Sequence, residues 1–197
     1  MSKRAKDAIN DIKHLTEIQG SDHAPILLDL DVWFTDDELV EEWKQTDWIL
    51  AEKILEQHQQ ALTRAMIERN FDKIAKIQSA LVNHPLIKRM AVRQVGERTN
   101  TAGIDNVRWY TASAKMRVAK RLNKKPYKAS PLRQIILVDK GSGKQRSIGI
   151  LTMYDRAMHK LYSFALAPLM ETTSEQRSFG FRRGRSTFDL HEQIKKC

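Results

Sequence analysis

Residues 133–150 read RQIILVDKGSGKQRSIGI and predict a basic β-hairpin. The first half, Arg133–Lys140, contains four consecutive aliphatic residues, a run typical of a strand. Gly141 and Gly143 tolerate the positive φ that a tight connection requires, and Lys144–Ile150 then returns as the partner strand. A single hairpin set among helical segments predicts the α+β class.

Helices are predicted on both sides of the hairpin from apolar stripes at 3–4 spacing and from capping residues. Before the hairpin, the predicted helices cover residues 35–44, 47–69, 71–82, 85–95 and 107–122. After it, Thr152 caps a helix that continues to Met170, and Ser186 with Asp189 forms another capping box. The chain is therefore expected to comprise an arm at 1–34, a helical region at 35–97 and a mixed region at 98–197.

Charge is divided sharply along the chain. Residues 1–60 carry 6 Lys+Arg and 14 Asp+Glu, a net charge of −8, whereas residues 61–197 carry 28 and 10, a net charge of +18. An excess of this size is what a polyanion-binding surface needs, because each neutralised phosphate releases counterions. A solvated basic face is the open alternative. The basic residues are spread through folded-looking segments and flank no apolar anchor, so no membrane partner is expected.

The composition excludes further classes of protein. An apolar content of 41% excludes wholesale disorder, and no apolar run is long enough to span a bilayer. The N-terminus leads into no signal-peptide core. Cys197 is the only cysteine, so no internal disulfide can form and a reducing, cytoplasmic location is expected.

Five blocks in order resemble one family. They are a helical region at Asp47–Val95, the sequence Thr-Ala-Gly-Ile-Asp at 101–105, the run Lys-x-x-Gly-Lys-x-Arg at 140–146, Asp-Arg-Ala at 155–157, and the arginine-rich turn at 178–186. Together they resemble the reverse transcriptases encoded by group II introns, the intron maturases. The chain departs from that pattern at Val138-Asp139, where the family usually has Ile-Pro, and an acid at Asp139 would weaken the local field for a triphosphate.

The resemblance implies a function and a set of contacts. Residues 35–97 would be the helical N-terminal extension, and residues 98–197 the fingers and an incomplete start of the palm. In the family, the lysine and arginine at the positions of Lys140 and Arg146 contact the incoming nucleotide. Both residues could instead be ordinary exposed hairpin charges. The chain would thus be the N-terminal portion of an RNA-directed DNA polymerase that binds template RNA and nucleotide.

Further cations are candidates for contacts to intron or template RNA. Arginines in a turn can equally pair with nearby carboxylates and simply hold the turn in place. The RNA-binding candidates are Lys144, Arg182, Arg183, Arg185, Arg117, Lys120, Arg121, Lys124 and Lys125.

Catalysis is not expected from this chain alone. In the family the metal-binding aspartates lie downstream of the arginine-rich turn, beyond Cys197, so no catalytic residue and no metal site is assigned here. Phe34-Thr-Asp-Asp37 imitates a polymerase signature, but its carboxylates favour a helix N-terminus. Mg²⁺ and a deoxynucleotide triphosphate are expected only for the complete enzyme. Such a chain would associate with the missing C-terminal half or with itself, because apolar surface at Tyr154–Met170 and Ile135–Val138 would be poorly covered.

Two other functions remain open. One is a non-enzymatic RNA-binding module that supports intron splicing. The other is a protein-interaction module that docks through the acidic helices at 35–60.

Overall fold

The computed structural model describes residues 34–98, 101–124, 127–180, 182 and 184–196. Met1–Thr35 and Asp36–Cys197 form separate units, and the predicted arm at 1–34 lies almost wholly outside the described residues. The predicted α+β class is confirmed, with seven helices and one hairpin in the described part. In chain order the elements are α1 (Asp36–Lys44), α2 (Trp48–Ile67), α3 (Phe71–Asn83), α4 (Pro85–Arg98), α5 (Ala112–Arg121), β1 (Arg133–Val138), β2 (Gln145–Ile150), α6 (Met153–Thr173) and α7 (Thr187–Lys195).

Most helices begin where their capping residues predict. The Asp47 carboxylate accepts a hydrogen bond from the Leu50 amide at 2.9 Å, and Asn70 caps α3 in the same way. Ser186 and Asp189 form the predicted capping box at the start of α7. Each cap satisfies backbone N–H groups that have no partner within the helix, so the start of the helix is encoded locally.

Helix α5 is shorter than predicted. The expected start at Val107 is wrong, because residues 107–111 are not helical and the helix begins at Ala112. Thr111 caps it by accepting a hydrogen bond from the Ala114 amide at 3.2 Å. Upstream, Asn106 has a φ of 54°, a left-handed conformation that a continuous helix cannot contain.

Helix α6 lies at the centre of the core and packs against α2, α3 and α4. Most of its predicted apolar stripe is buried, including Ala157, Met158 and Leu161, whereas Tyr154 and Leu169 are partly buried. Two glutamines attach neighbouring helices to it: Gln59 of α2 donates to the Phe164 carbonyl at 3.1 Å, and Gln78 of α3 to the Ala165 carbonyl at 3.3 Å. No helix within the described residues is long and apolar enough to cross a membrane.

The hairpin lies outside this core. In each strand five of the six residues are exposed, and no helix packs broadly against either strand. Ile136 and Val138 are 58% and 57% exposed, and Leu166 and Met170 on α6 are 50% and 61% exposed. The predicted uncovered apolar surface is therefore present on both elements, while the self-association expected from it stays a prediction.

Candidate nucleic-acid interface

One face of the hairpin carries its positive charge. Cross-strand partners share a face, and so do residues two apart along a strand. Arg146 pairs with Leu137, and Arg133 pairs with Ile150. The backbone continues the same register beyond β1, since the Asp139 amide donates to the Lys144 carbonyl at 2.9 Å. Arg133, Lys144 and Arg146 therefore lie on one side, which we name the cationic face. By the same register this side also carries Asp139 and the aliphatic residues Ile135, Leu137, Ile148 and Ile150.

The other face of the hairpin has no charged residue. Its side chains are uncharged polar groups, aliphatic groups and one glycine, and the Gln134 amide donates to the Ser147 hydroxyl at 2.6 Å across the strands. Its members by register are Gln134, Ile136, Val138, Gln145, Ser147 and Gly149. The charged residues of the two strands thus share one face, and both faces are largely exposed to solvent.

Lys140 lies in the turn between the strands and follows Asp139 directly in sequence. The Asp139 carboxylate accepts hydrogen bonds from the Ser142 hydroxyl and, at 3.3 Å, from the Gly141 amide. These bonds, with that of Ser142 the strongest, lower the pKa of Asp139. Asp139 therefore organises the turn. Within the described part of the chain, no carboxylate lies at ion-pair distance from Lys140, Lys144 or Arg146.

A buried carboxylate holds both ends of the hairpin. Asp155, 2% exposed, accepts hydrogen bonds from the Tyr127 hydroxyl at 2.5 Å and the Ser130 amide at 3.3 Å, both on the segment before β1. It also accepts from the Thr152 hydroxyl at 2.7 Å, just after β2. From the sequence, Asp155 was assigned to the cap at Thr152 and to the Asp-Arg-Ala block, and neither predicts a contact with the hairpin. It is in addition the point at which the segments flanking the hairpin meet.

The charge state of Asp155 follows from these contacts. Burial alone would raise its pKa, but the hydrogen bonds from Tyr127, Thr152 and Ser130 together outweigh burial and hold the pKa below the usual range. Burial and the same hydrogen bond raise the pKa of Tyr127 to about 12. At neutral pH the pair is therefore a phenol donating to an ionised carboxylate, a charge-assisted bond.

A second set of hydrogen bonds joins the segment at 101–105 to α6 and to the end of the hairpin. Arg156 donates to the Thr101 carbonyl at 2.9 Å and to the Ala102 carbonyl at 3.2 Å. The Ile104 amide donates to the Leu151 carbonyl at 3.3 Å, directly after β2. The blocks Thr-Ala-Gly-Ile-Asp and Asp-Arg-Ala, separate in sequence, are thus adjacent in the fold and support the same hairpin.

Replacing Gly103 by alanine is expected to destabilise this junction. A Cβ there would lie 2.7 Å from the Met153 nitrogen and 2.9 Å from the Leu151 oxygen, and backbone atoms cannot move aside cheaply. We expect a loss of about 1–3 kcal/mol in the free energy of unfolding, measured by urea denaturation. Gly180→Ala is the matched control, because a Cβ at Gly180 meets nothing within 4 Å. Equal stability of the two variants would contradict the close approach.

The arginine-rich turn uses its guanidinium groups internally. Arg182 donates to the Glu171 carboxylate at 2.8 Å and to the Glu175 carbonyl at 2.7 Å. Arg185 donates to Glu171 at 3.0 Å and to the Ser178 carbonyl at 3.0 Å. The hydrogen bond from Arg182 is the main cause that lowers the pKa of Glu171. The side chain of Arg182 is only 10% exposed, so both arginines hold the turn against the end of α6.

Of the RNA-binding candidates on α5 and just after it, two form ion pairs with α1 and two are exposed. Arg117 pairs with Asp36 of α1 at 2.6 Å, and Lys120 pairs with Glu42 of α1 at 2.6 Å. Arg121 and Lys124 are exposed at the end of the helix. Two further candidates, Lys125 and Arg183, lie outside the described residues.

Carboxylates do not gather into a metal site within the described ranges, where no group of three or more His, Cys, Asp or Glu side chains is arranged so that it could hold a metal ion. Asp36 and Asp37, which imitate a polymerase signature in sequence, lie in the first turn of α1 as predicted. Asp36 is paired with Arg117. The sequence did not predict the joint role of Asp155, Tyr127 and Arg156. The local signals for it were the cap at Thr152 and the Asp-Arg-Ala block at 155–157.

Comparison with known proteins supports part of the resemblance. Residues 43–122 match the family model of the N-terminal domain of reverse transcriptase, a range that runs from late in α1 to the residue after α5. The match supports an N-terminal part of a reverse transcriptase. No curated protein sequence matches the chain.

Proposed function

We propose that this chain is the N-terminal extension and fingers part of a group II intron-type reverse transcriptase, and that it binds RNA. The observation that carries the proposal is the cationic face, which lies on a largely exposed hairpin. This hairpin begins eleven residues after residue 122, where the match to the reverse transcriptase N-terminal domain ends. A projecting cationic surface is suited to the phosphate backbone, since the protein core does not use its charges.

The same hairpin supports a proposal for nucleotide contact. A triphosphate needs cations on a stiff support, with lysine as a point charge and arginine as a two-pronged donor. Arg146 lies within the ladder of β2, and Lys140 lies in the turn that Asp139 organises. We assign contact with the incoming nucleotide to these two residues in the complete enzyme. Asp139 does not oppose this role by pairing with Lys140, because its carboxylate bonds to the turn.

Bond making is assigned to other parts of the complete enzyme. Nucleotidyl transfer depends on divalent metals held by carboxylates. We propose that Mg²⁺, the deoxynucleotide triphosphate and the remainder of the palm act together there, and that the described residues supply binding. A non-enzymatic RNA-binding module is the second candidate. The cationic face of the hairpin serves this function equally well.

RNA binding by the isolated chain tests the proposal. Fluorescence anisotropy with a labelled single-stranded RNA is expected to give micromolar or tighter affinity at 0.1 M salt. This lies at or beyond the tight end of non-specific nucleic-acid binding, for which Kd is roughly 10⁻⁴–10⁻⁶ M. The plot of log affinity against log salt should have a slope on the order of −2 to −3, at roughly −0.7 per phosphate contacted. Binding that is absent or insensitive to salt would count against both candidate functions. Primer extension by the chain alone would show that the assignment of catalysis elsewhere is wrong.

A further inference from the structure

Helix α1 is acidic and lies along a basic helix. It carries five carboxylates in nine residues, and its broadest packing partner is α5. The family match begins within α1 and continues through α5, so both helices adjoin or belong to the matched region. The pairing of an acidic helix with a basic one covers cations that would otherwise be open to a polyanion.

The contacts resemble those that a phosphate group would make. One oxygen of Glu42 pairs with Lys120 at 2.6 Å, and the other pairs with Arg89 of α4. At the other end of α1, Asp36 pairs with Arg117 at 2.6 Å. Two acceptor oxygens placed between a lysine and an arginine are the arrangement in which these side chains hold a phosphate. We name Arg89, Arg117 and Lys120 the covered cations.

The attachment of α1 depends heavily on charge. Leu39 is the only hydrophobic residue of α1 that is fully buried, with Trp43 partly buried beside it. The Arg117–Asp36 pair is largely exposed, with side chains 56% and 70% accessible. Exposed ion pairs are weak and are screened by salt. A strong polyanion can therefore replace the Arg117–Asp36 pair most readily. The two pairs of Glu42 are more buried, with the side chains of Arg89 and Lys120 17% and 25% accessible.

We propose that α1 competes with RNA phosphates for the covered cations, so that RNA binding at this surface displaces the carboxylates of α1. The proposal rests on the proposed RNA-binding function and adds a control of that function. Before RNA binds, the acidic helix shields the basic surface. When RNA binds, the phosphates take the positions of Asp36 and Glu42.

A matched pair of double variants tests this competition. Asp36→Asn with Glu42→Gln removes the two competing carboxylates. Asp37→Asn with Glu41→Gln removes the same charge from the same helix but leaves the ion pairs intact, since Glu41 accepts from Gln45. The first variant is expected to bind RNA on the order of tenfold more tightly than the second. Its log–log salt slope should be steeper by roughly 1–2, because displaced carboxylates no longer take up cations.

Two more measurements keep the test decisive. Arg117→Gln with Lys120→Gln should weaken RNA binding severalfold more in the Asp36→Asn/Glu42→Gln background than in the wild-type chain. In the wild-type chain, hydrogen exchange of α1 amides should speed up when RNA is added, and this readout needs no variant to fold. Equal affinity of the two double variants, or slower exchange of α1 with RNA, would overturn the competition while RNA binding itself stands. If neither double variant nor the wild type binds RNA, the proposed function fails instead.

Discussion

Replacing Lys140, Lys144 and Arg146 together by glutamine is expected to weaken RNA binding on the order of 30- to 100-fold at 0.1 M salt. Lys140 and Lys144 lie between the two strands, and Arg146 lies in β2. All three are exposed and form no ion pair in the described part of the chain. Their charges are therefore available to phosphates. Losing three phosphate contacts should also make the log–log salt slope shallower by roughly 2. Anisotropy titrations over a salt series measure both effects.

The substitutions should leave the fold intact. The hairpin strands are exposed and lie outside the core, so stability in urea should change by less than about 0.5 kcal/mol. Lys53, Arg64 and Lys76 provide the matched control, since they are exposed on α2 and α3 and offer the same two lysines and one arginine. Their replacement by glutamine tests whether net charge alone explains binding. An equal loss of affinity in both triple variants would remove the hairpin from the interface.

Replacing Asp155 by alanine is expected to cause the largest loss of stability. The change leaves the Tyr127 hydroxyl, the Ser130 amide and the Thr152 hydroxyl without their acceptor. Asp155 and Thr152 are themselves buried, so water cannot readily replace the carboxylate there. We expect the free energy of unfolding to fall by about 3 kcal/mol and the melting temperature by roughly 10 °C. Urea denaturation and thermal melts followed by circular dichroism measure these changes.

The same carboxylate predicts a pH dependence. Its pKa in the folded state is held below the usual range, so the unfolded chain binds the proton more readily. The stabilisation is fully present above the ordinary aspartate pKa of about 4 and is lost as pH falls through the lower folded value. The wild-type chain should therefore lose stability below about pH 4 more steeply than Asp155→Ala. Parallel pH profiles of the two proteins would contradict the assignment.

A control separates the buried role of Asp155 from simple helix capping. Asp189→Ala removes an exposed capping carboxylate from α7 and should cost only about 1 kcal/mol. Hydrogen exchange gives a second readout. In Asp155→Ala the amides of the segment before β1 should exchange faster, and in Asp189→Ala they should not. A loss of 3 kcal/mol in both variants would indicate a general effect of removing caps.

Local features of this fold could be predicted because their partners lie within a few residues. Asp47, Asn70 and Ser186 each bond to a backbone amide three residues on, and each correctly marks the start of a helix. The start of α5 was predicted five residues too early because the amphipathic pattern extends upstream of Thr111, where Asn106 adopts a conformation that interrupts a helix. The spacing of apolar residues predicts which side chains face the core, but it does not predict where the backbone leaves the helical conformation.

The amino-acid sequence by itself determined the helices, their caps and the basic hairpin, since these depend on spacing, side-chain type and contacts at short range. Only the tertiary structure decided how each cation is used. Arg182 and Arg185 meet Glu171, whereas Arg117 and Lys120 meet carboxylates about 80 residues away on α1. Asp155 likewise gathers donors from 25 and 28 residues upstream. A charge in a sequence is open to any partner, and the choice among partners is made by the packing of helices that brings distant segments within hydrogen-bonding distance.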